Sequence, residues 1–387
     1  MDNKINEQLS LDVGDAVKKT RPKNVPAIKN TDASASAFGW RFQIIAGIIL
    51  SIHNIKEIKF VEIEGSTEDI ELYFSDKDPA YIQSKAIQGN IFDKTDVAAT
   101  KATMAMNTLI NTSNRTEGKY SELMYVVNFR NPLNLNNADL IASWNPDLKR
   151  PFIRKYNSLP SKAKKFIRAR IKTAKKQLEE KYIGSIQYFD LNRLKLATIL
   201  FSSDEQDEVN YLSLENVIED LFEKLKLNIR LGKIHVIRDM LITKYLANAG
   251  SKEWGEKHKR ISKENLIWKI IFGIIDSAPT EFYEELPIGI EGELDIYEHD
   301  FVEQQVEDVV IINKVLAGFN EYMKLENERN RKEVFRRFVN HKWSDYKDIF
   351  PLNEDPIVQE YGIKMIITRI IYGQRTIAKI KDGVNLK

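Results

Sequence analysis

The sequence predicts an α/β sandwich over residues 36–205 followed by a mainly α-helical domain over residues 206–387. Three observations lead there. Between Phe42 and Phe129 the apolar pattern runs from helical spacing to three short strand-length segments, back to helical spacing, then to one more strand-length run. Beyond about residue 205 the strand-length runs cease, and six successive segments place apolar residues three and four positions apart. The change of character falls at Ser202-Ser203-Asp204-Glu205-Gln206-Asp207, a polar stretch suited to a boundary, and 387 residues exceed one ordinary domain.

Residues 1–35 read as a mobile arm, with Lys18, Lys19, Arg21 and Lys23 around Pro22 and few large apolar groups. A helix starts after the small and polar residues Asp32–Ser36 and buries Phe42, Ile45, Ile48 and Ile49. Ile58–Ile63, Ile70–Phe74 and Tyr81–Ala86 read as strands, separated by turn chemistry at Gly65-Ser66-Thr67 and Ser75–Pro79. Asp93–Asn111 returns to helical spacing with Asp93 as its N-cap, and Leu123–Phe129 is a strand-length apolar run. Helix, three strands, helix, strand is the outline of an α/β sandwich. Asn131–Asn145, rich in Asn and Pro, marks a loop; a basic helix spans Ser161–Tyr182, and Tyr188–Phe201 adds a strand. The later helices are Leu214–Leu227, Val236–Ala249, Lys263–Ile275, Phe301–Lys324, Arg329–Lys342 and Pro356–Lys381, with Ser213 as cap of the first.

Composition narrows the chemistry. The chain has no cysteine, which excludes disulfides and thiolate metal sites and suits a reducing cytoplasm. The N-terminal residues lack the apolar segment of a signal peptide, and Phe42–Ile52 is about half of what a membrane span needs, so a soluble cytoplasmic protein is expected. The histidines at 53, 235, 258, 299 and 341 form no ligand pair at helix or strand spacing, which argues against zinc. A net charge of +2 hides two opposite runs. Leu148–Leu178 holds twelve Lys and Arg and no acid, whereas Asp276–Asp308 holds twelve Asp and Glu and no base. The basic run suits sequence-independent contact with a phosphate backbone, or is simply a solvated helix face; the acidic run, including Gly292–Asp295, reads as solvated. Trp268, beside Ile270 and Phe272, reads as core.

The chemistry concentrates between Glu64 and Lys85. Alternate side chains of a strand share a face, so Tyr81, Gln83 and Lys85 point one way and Ile82, Ser84 and Ala86 the other. Asp69 opens the preceding strand and Glu64 closes the one before it. Phosphodiester hydrolysis needs an activated water, a cation against the non-bridging oxygens and help for the leaving oxygen; Mg²⁺ (or Mn²⁺) with a nearby ammonium supplies these. Asp69 is the expected principal metal ligand, with Gln83 adding its amide oxygen and Glu64 a second charge. Lys85 is expected to orient or deprotonate the water, or to stabilise the transition state.

These residues resemble the PD-(D/E)XK nuclease superfamily, and more closely the double-stranded DNA endonuclease domain of CD-NTase-associated bacterial defence effectors. The resemblance rests on Gly39-Trp40-Arg41-Phe42-Gln43, Glu64-Gly65, Asp69-Ile70-Glu71-Leu72 and Gln83-Ser84-Lys85, four short elements in the family's order over residues 39–85. The whole-chain layout is similar to the nuclease subunit (LmuA) of Lamassu-type systems. The resemblance implies a restriction-endonuclease-like sandwich and a metal-dependent DNA endonuclease effector of antiphage or antiplasmid defence. It also implies restraint by an SMC-like ATPase and an accessory defence subunit. Because DNA offers two strands, two active sites acting together would make a double-strand break best, so a homo-oligomer is expected in the active state. Gln43, Lys164, Lys165, Arg168 and Lys172 are the expected DNA contacts. Gln83 departs from the superfamily, where Asp or Glu is usual, and so leaves open a catalytically silent DNA-binding or scaffold protein. A transferase or hydrolase acting on another phosphate-containing substrate is a third reading.

Overall fold

The structure, a computed structural model, describes residues 34–92, 97–179, 187–203, 209–249, 260–304, 309–326 and 330–386. The first half contains α1 (Ser34–His53), β1 (Ile58–Ile63), β2 (Ile70–Phe74), β3 (Ala80–Lys85), α2 (Ala98–Arg115) and β4 (Glu122–Val127). It continues with α3 (Asn137–Ser143), β5 (Phe152–Lys155), α4 (Ser161–Glu179) and β6 (Leu194–Thr198). The second half contains α5 (Val209–Lys224), α6 (Leu231–Ala249), β7 (Arg260–Ser262), α7 (Lys263–Ile274), α8 (Thr280–Glu284) and α9 (Glu291–Gln304). It ends with α10 (Val309–Leu325), α11 (Arg331–Lys342), α12 (Pro356–Tyr372) and α13 (Gln374–Gly383). An α/β part joined to a helical part is what the periodicities predict.

The strands form one mixed sheet in the order β5-β6-β4-β3-β2-β1-β7. The pairs β1–β2 and β2–β3 are antiparallel, whereas β4 runs parallel to β3 and to β6. The parallel step from β3 to β4 requires a crossover, and α2 supplies it. Alternation sorts the strand residues onto two faces. Ile70, Leu72, Ile82, Met124 and Val126 join one core with α1. Tyr81, Leu123, Tyr125 and Val127 join the other with α2, whose Ala102, Met106 and Leu109 are buried, and with α4. Each fully buried Ile or Leu contributes about 1.5–3 kcal/mol relative to an exposed one, so these layers fix the register of β2 against β3.

Several elements differ from the sequence expectation. The arm proposed for residues 1–35 lies outside the described residues up to residue 33, and α1 already begins at Ser34. Asp93 also lies outside them; α2 starts later, after Val97, which offers no capping side chain. The expected loop 131–145 contains α3, capped by the Asn136 side chain accepting from Asp139 N at 2.9 Å. Ser213 caps nothing: it sits inside α5, and its hydroxyl donates to Leu148 O at 3.0 Å. The Pro356–Lys381 segment breaks at Gly373, where a Cβ would sit 2.6 Å from Ile275 Cγ2. β5 and β7 are too short and too charged to alternate legibly. β7 pairs antiparallel with β1, and Arg260 Nε donates to Glu62 at 2.7 Å. The second half therefore completes the sheet, and the core around α1 runs continuously into α5, α6, α7, α12 and α13.

Trp268 is 1% exposed and donates its indole N–H to Val302 O at 3.3 Å, a core role as expected. α1 has the length and apolarity of a membrane span, yet eleven of its residues are buried in this core. The Ile363, Ile366, Ile367, Ile370 and Ile371 stripe of α12 is likewise consumed within the chain.

Candidate active site

Asp69 lies one residue before β2, directly across from Gln83 of β3, since Ile70 pairs with Ile82. Its Oδ2 accepts from Ser84 N at 2.9 Å, from Ser84 Oγ at 3.0 Å and from the Gln83 side-chain amide. Gln83 also donates to Ser84 O at 3.3 Å. These bonds occupy one oxygen of Asp69 and the amide nitrogen of Gln83, leaving Asp69 Oδ1 and Gln83 Oε1 as the oxygens unengaged among the described residues. Alternation alone places Ser84 on the opposite face. Its backbone N–H and its hydroxyl nevertheless both reach Asp69, because Asp69 stands just outside the regular strand.

Two further acids flank Asp69. Glu71 is fully buried, and its carboxylate accepts from Thr67 N at 2.7 Å, Glu68 N at 3.0 Å and Tyr73 OH at 2.6 Å. It folds the β1–β2 turn around itself: a Cβ on Gly65 would meet Glu71 Oε1 at 2.4 Å, so only glycine fits. Glu68 is 5% exposed, accepts from Thr112 Oγ1 of α2, and leaves its Oε2 buried without a partner among the described residues. Burial, with smaller contributions from Asp69 and Glu71, pushes its carboxyl up to about 8 against the pull of Thr112 and Lys85. Tyr73 is pushed upward by burial and by its bond to Glu71.

Lys85 is partly buried at the end of β3, on the same face as Gln83. Its charge acts on Glu68 and also on Lys101 of α2, which burial and then Lys85 hold below the usual ammonium range. Lys101 thus stands near Lys85, on the α2 side of the site. Sequence reasoning missed Lys101 and Glu68: the first resembles one more solvated helix lysine, and the second is overshadowed by its neighbour Asp69. The adjacent acids in Glu68-Asp69-Ile70-Glu71 were the available signal.

Glu64 closes the β1–β2 turn in the left-handed region at φ 53°, and its N–H donates to Asp69 O at 2.8 Å. The backbone of Glu64 thus braces Asp69, while no bond of its carboxylate to Asp69, Gln83 or Lys85 is found among the described residues. Gln43 sits on α1, which covers the other face of the sheet; its Oε1 is buried without a partner among the described residues. The structure does not bring Gln43 to Asp69.

Among the described residues no three acidic or histidine side chains are grouped so as to hold a metal ion. The donors that are present suit Mg²⁺ in its usual form, with one carboxylate, one neutral oxygen and several waters. Asp69 Oδ1 and Gln83 Oε1 meet that description. Glu71 does not, because it is fully buried and already accepts three hydrogen bonds.

On the basic helix, Ala163, Ile167, Ile171, Ala174 and Leu178 face inward against α2. Lys165, Arg168 and Lys172 are exposed, but Arg168 Nε donates to Tyr156 OH at 2.7 Å, and the half-buried Lys164 donates to Asn157 O at 2.8 Å. Lys165 and Lys172 are the two of the four that point to solvent unencumbered by such a bond.

Searches against family models, curated proteins and solved structures find no match to this chain.

Proposed function

We propose that this protein is a metal-dependent DNA endonuclease with a restriction-endonuclease-like core. The observation that carries the reading is the bridge from Asp69 at the start of β2 to Gln83 and Ser84 on β3, with Lys85 next on the same strand. The order α1-β1-β2-β3-α2-β4, with β4 parallel to β3, supports it.

In this reading Asp69 Oδ1 and Gln83 Oε1 would hold a Mg²⁺ or Mn²⁺ ion, which when bound would supply positive charge against the scissile phosphate and help activate the attacking water. Gln83 N–H and the two Ser84 donors hold the Asp69 carboxylate in one rotamer. The Lys85 ammonium sits against the non-bridging oxygens and stabilises the charge that develops there. Lys101 extends the cationic surface from α2, and Lys165 and Lys172 contact the backbone at a distance. The resemblance adds the setting, an antiphage or antiplasmid effector kept silent by an SMC-like ATPase and an accessory subunit; the two strands of DNA favour cutting by a homo-oligomer.

A second reading, a silent DNA-binding or scaffold subunit, is favoured by one observation: an amide, Gln83, stands where a second carboxylate ligand would be. Incubating the purified protein with supercoiled plasmid and Mg²⁺ or Mn²⁺, with its operon partners present, tests both. Cleavage lost in Lys85→Ala supports the nuclease. DNA binding without cleavage under every metal supports the scaffold.

A further inference from the structure

Two segments distant in sequence meet at the N-terminal end of α12 and form an acidic face. α9 exposes Glu291, Glu293 and Asp295, and the chain entering α12 exposes Glu354 and Asp355. Tyr297 joins the segments: its hydroxyl donates to Pro351 O at 2.9 Å and accepts from Gln359 Nε2 at 3.3 Å. Among these acids stand Ile296, Leu352 and Ile357, which are 63%, 90% and 48% exposed. Asp355 also caps α12, accepting from Ile357 N at 2.7 Å. None of the five acids forms an ion pair among the described residues, and neither segment contains a Lys or Arg.

The opposite end of α12 carries a complementary surface. A groove of about 460 Å³ lies where α10, α11, α12 and α13 meet. Its floor includes Phe335, Ile371 and Tyr372; Phe335 stands edge-on to Tyr372 with ring centres 5.0 Å apart, and Tyr372 is 54% exposed. Arg331, Lys332 and Arg375 line the groove, and no carboxylate does. Lys332 is already bonded to Glu281 at 2.9 Å, whereas Arg331 and Arg375 are exposed and form no ion pair among the described residues. Ile357 and Tyr372 lie at the two ends of α12, about 22 Å apart along the axis at 1.5 Å per residue. One helix thus holds the two surfaces apart, so neither covers the other within a chain.

Each surface sets apolar groups among charges of one sign, and the two signs are opposite. Contact between them would remove the apolar groups from water and pair cations with carboxylates that lack partners in the single chain. We propose that copies of this chain associate head to tail, the acidic end of α12 and α9 in one copy seated in the basic groove of the next. Such a contact is heterologous: it leaves one acidic end and one groove open after each addition, and so builds past a dimer to a ring or a filament. It gives surfaces to the homo-oligomer, uses none of Asp69, Gln83 or Lys85, and holds whether or not the chain cleaves DNA.

Sedimentation velocity on the full chain tests it. At about 50 mM NaCl the weight-average mass should roughly double or more between about 1 and about 200 µM protein, and at about 500 mM NaCl it should stay near that of a monomer. Arg331→Glu with Arg375→Glu reverses the charge of the groove, and Ile296→Asp with Leu352→Asp removes apolar groups from the acidic end. All four positions are exposed, so unfolding midpoints should hold. Each double variant alone should be monomeric. Mixed, the two retain one intact groove and one intact acidic end between them, and should form a one-to-one dimer that grows no further. Wild type that stays monomeric over that range at low salt would overturn the proposal. So would self-association that either double variant retains, or a mixture that stays monomeric. Loss of duplex DNA affinity in the groove variant, with sedimentation monomeric throughout, would assign the groove to nucleic acid and overturn it as well.

Discussion

Glu68→Gln perturbs the candidate site without removing a side chain. Burial raises the Glu68 carboxyl from 4.5 to about 8, so the folded chain holds a proton that the unfolded chain has already released between those pH values. Stability therefore falls as pH rises through that window and levels off above it. Each tenfold change in proton affinity is worth about 1.36 kcal/mol, so the full interval sets a ceiling of about 4–5 kcal/mol. Glutamine keeps the acceptor for Thr112 and places an N–H₂ where the protonated acid holds an equally unpaired O–H. Urea unfolding at pH 5, 7 and 8.5 should show wild type losing stability relative to Glu68→Gln as pH rises, with the variant ahead by about 2–4 kcal/mol at pH 8.5. Parallel curves across the range would refute a buried, protonated Glu68.

Three further outcomes follow from the same geometry. Lys101→Met should reduce cleavage on the order of tenfold while leaving the unfolding midpoint within about 0.5 kcal/mol, read from single-turnover rates and urea melts on one preparation. Replacing Lys165 and Lys172 by glutamine should lower the slope of log affinity against log salt by about 1 for each phosphate no longer neutralised, measured by fluorescence anisotropy on duplex DNA; an unchanged slope makes the face merely solvated. Gln43→Ala should leave most cleavage activity in place, and so should Glu64→Ala, because the brace on Asp69 is the Glu64 backbone N–H, which alanine keeps.

The strands nearest the site were legible because apolar runs of strand length, bounded by turn residues, encode both period and limits. The predicted Ile58–Ile63 and Ile70–Phe74 recur unchanged as β1 and β2. The basic stripe of α4 was legible for the same reason, with its inward residues at three- and four-residue steps. β7 was not, since three residues including Arg260 carry no period and acquire their conformation only by pairing with β1. The isoleucines of α12 all find partners because the core extends from the sheet through α1 into the C-terminal helices. Within the site, the juxtaposition of Asp69 and Gln83 follows from strand register, which spacing anticipates. The burial of Glu68 under Thr112 depends on how α2 crosses the sheet, and no local pattern encodes that crossing.

In the proposed nuclease, Asp69 and Lys85 carry the phosphodiester chemistry. Single-turnover cleavage of plasmid DNA by wild type, Asp69→Asn and Lys85→Ala, each assembled with its operon partners and supplied with Mg²⁺ or Mn²⁺, tests it most directly. Wild type should cut in a metal-dependent manner and both variants should lose at least about a hundredfold, with unfolding midpoints preserved. Wild-type rates in either folded variant would contradict it.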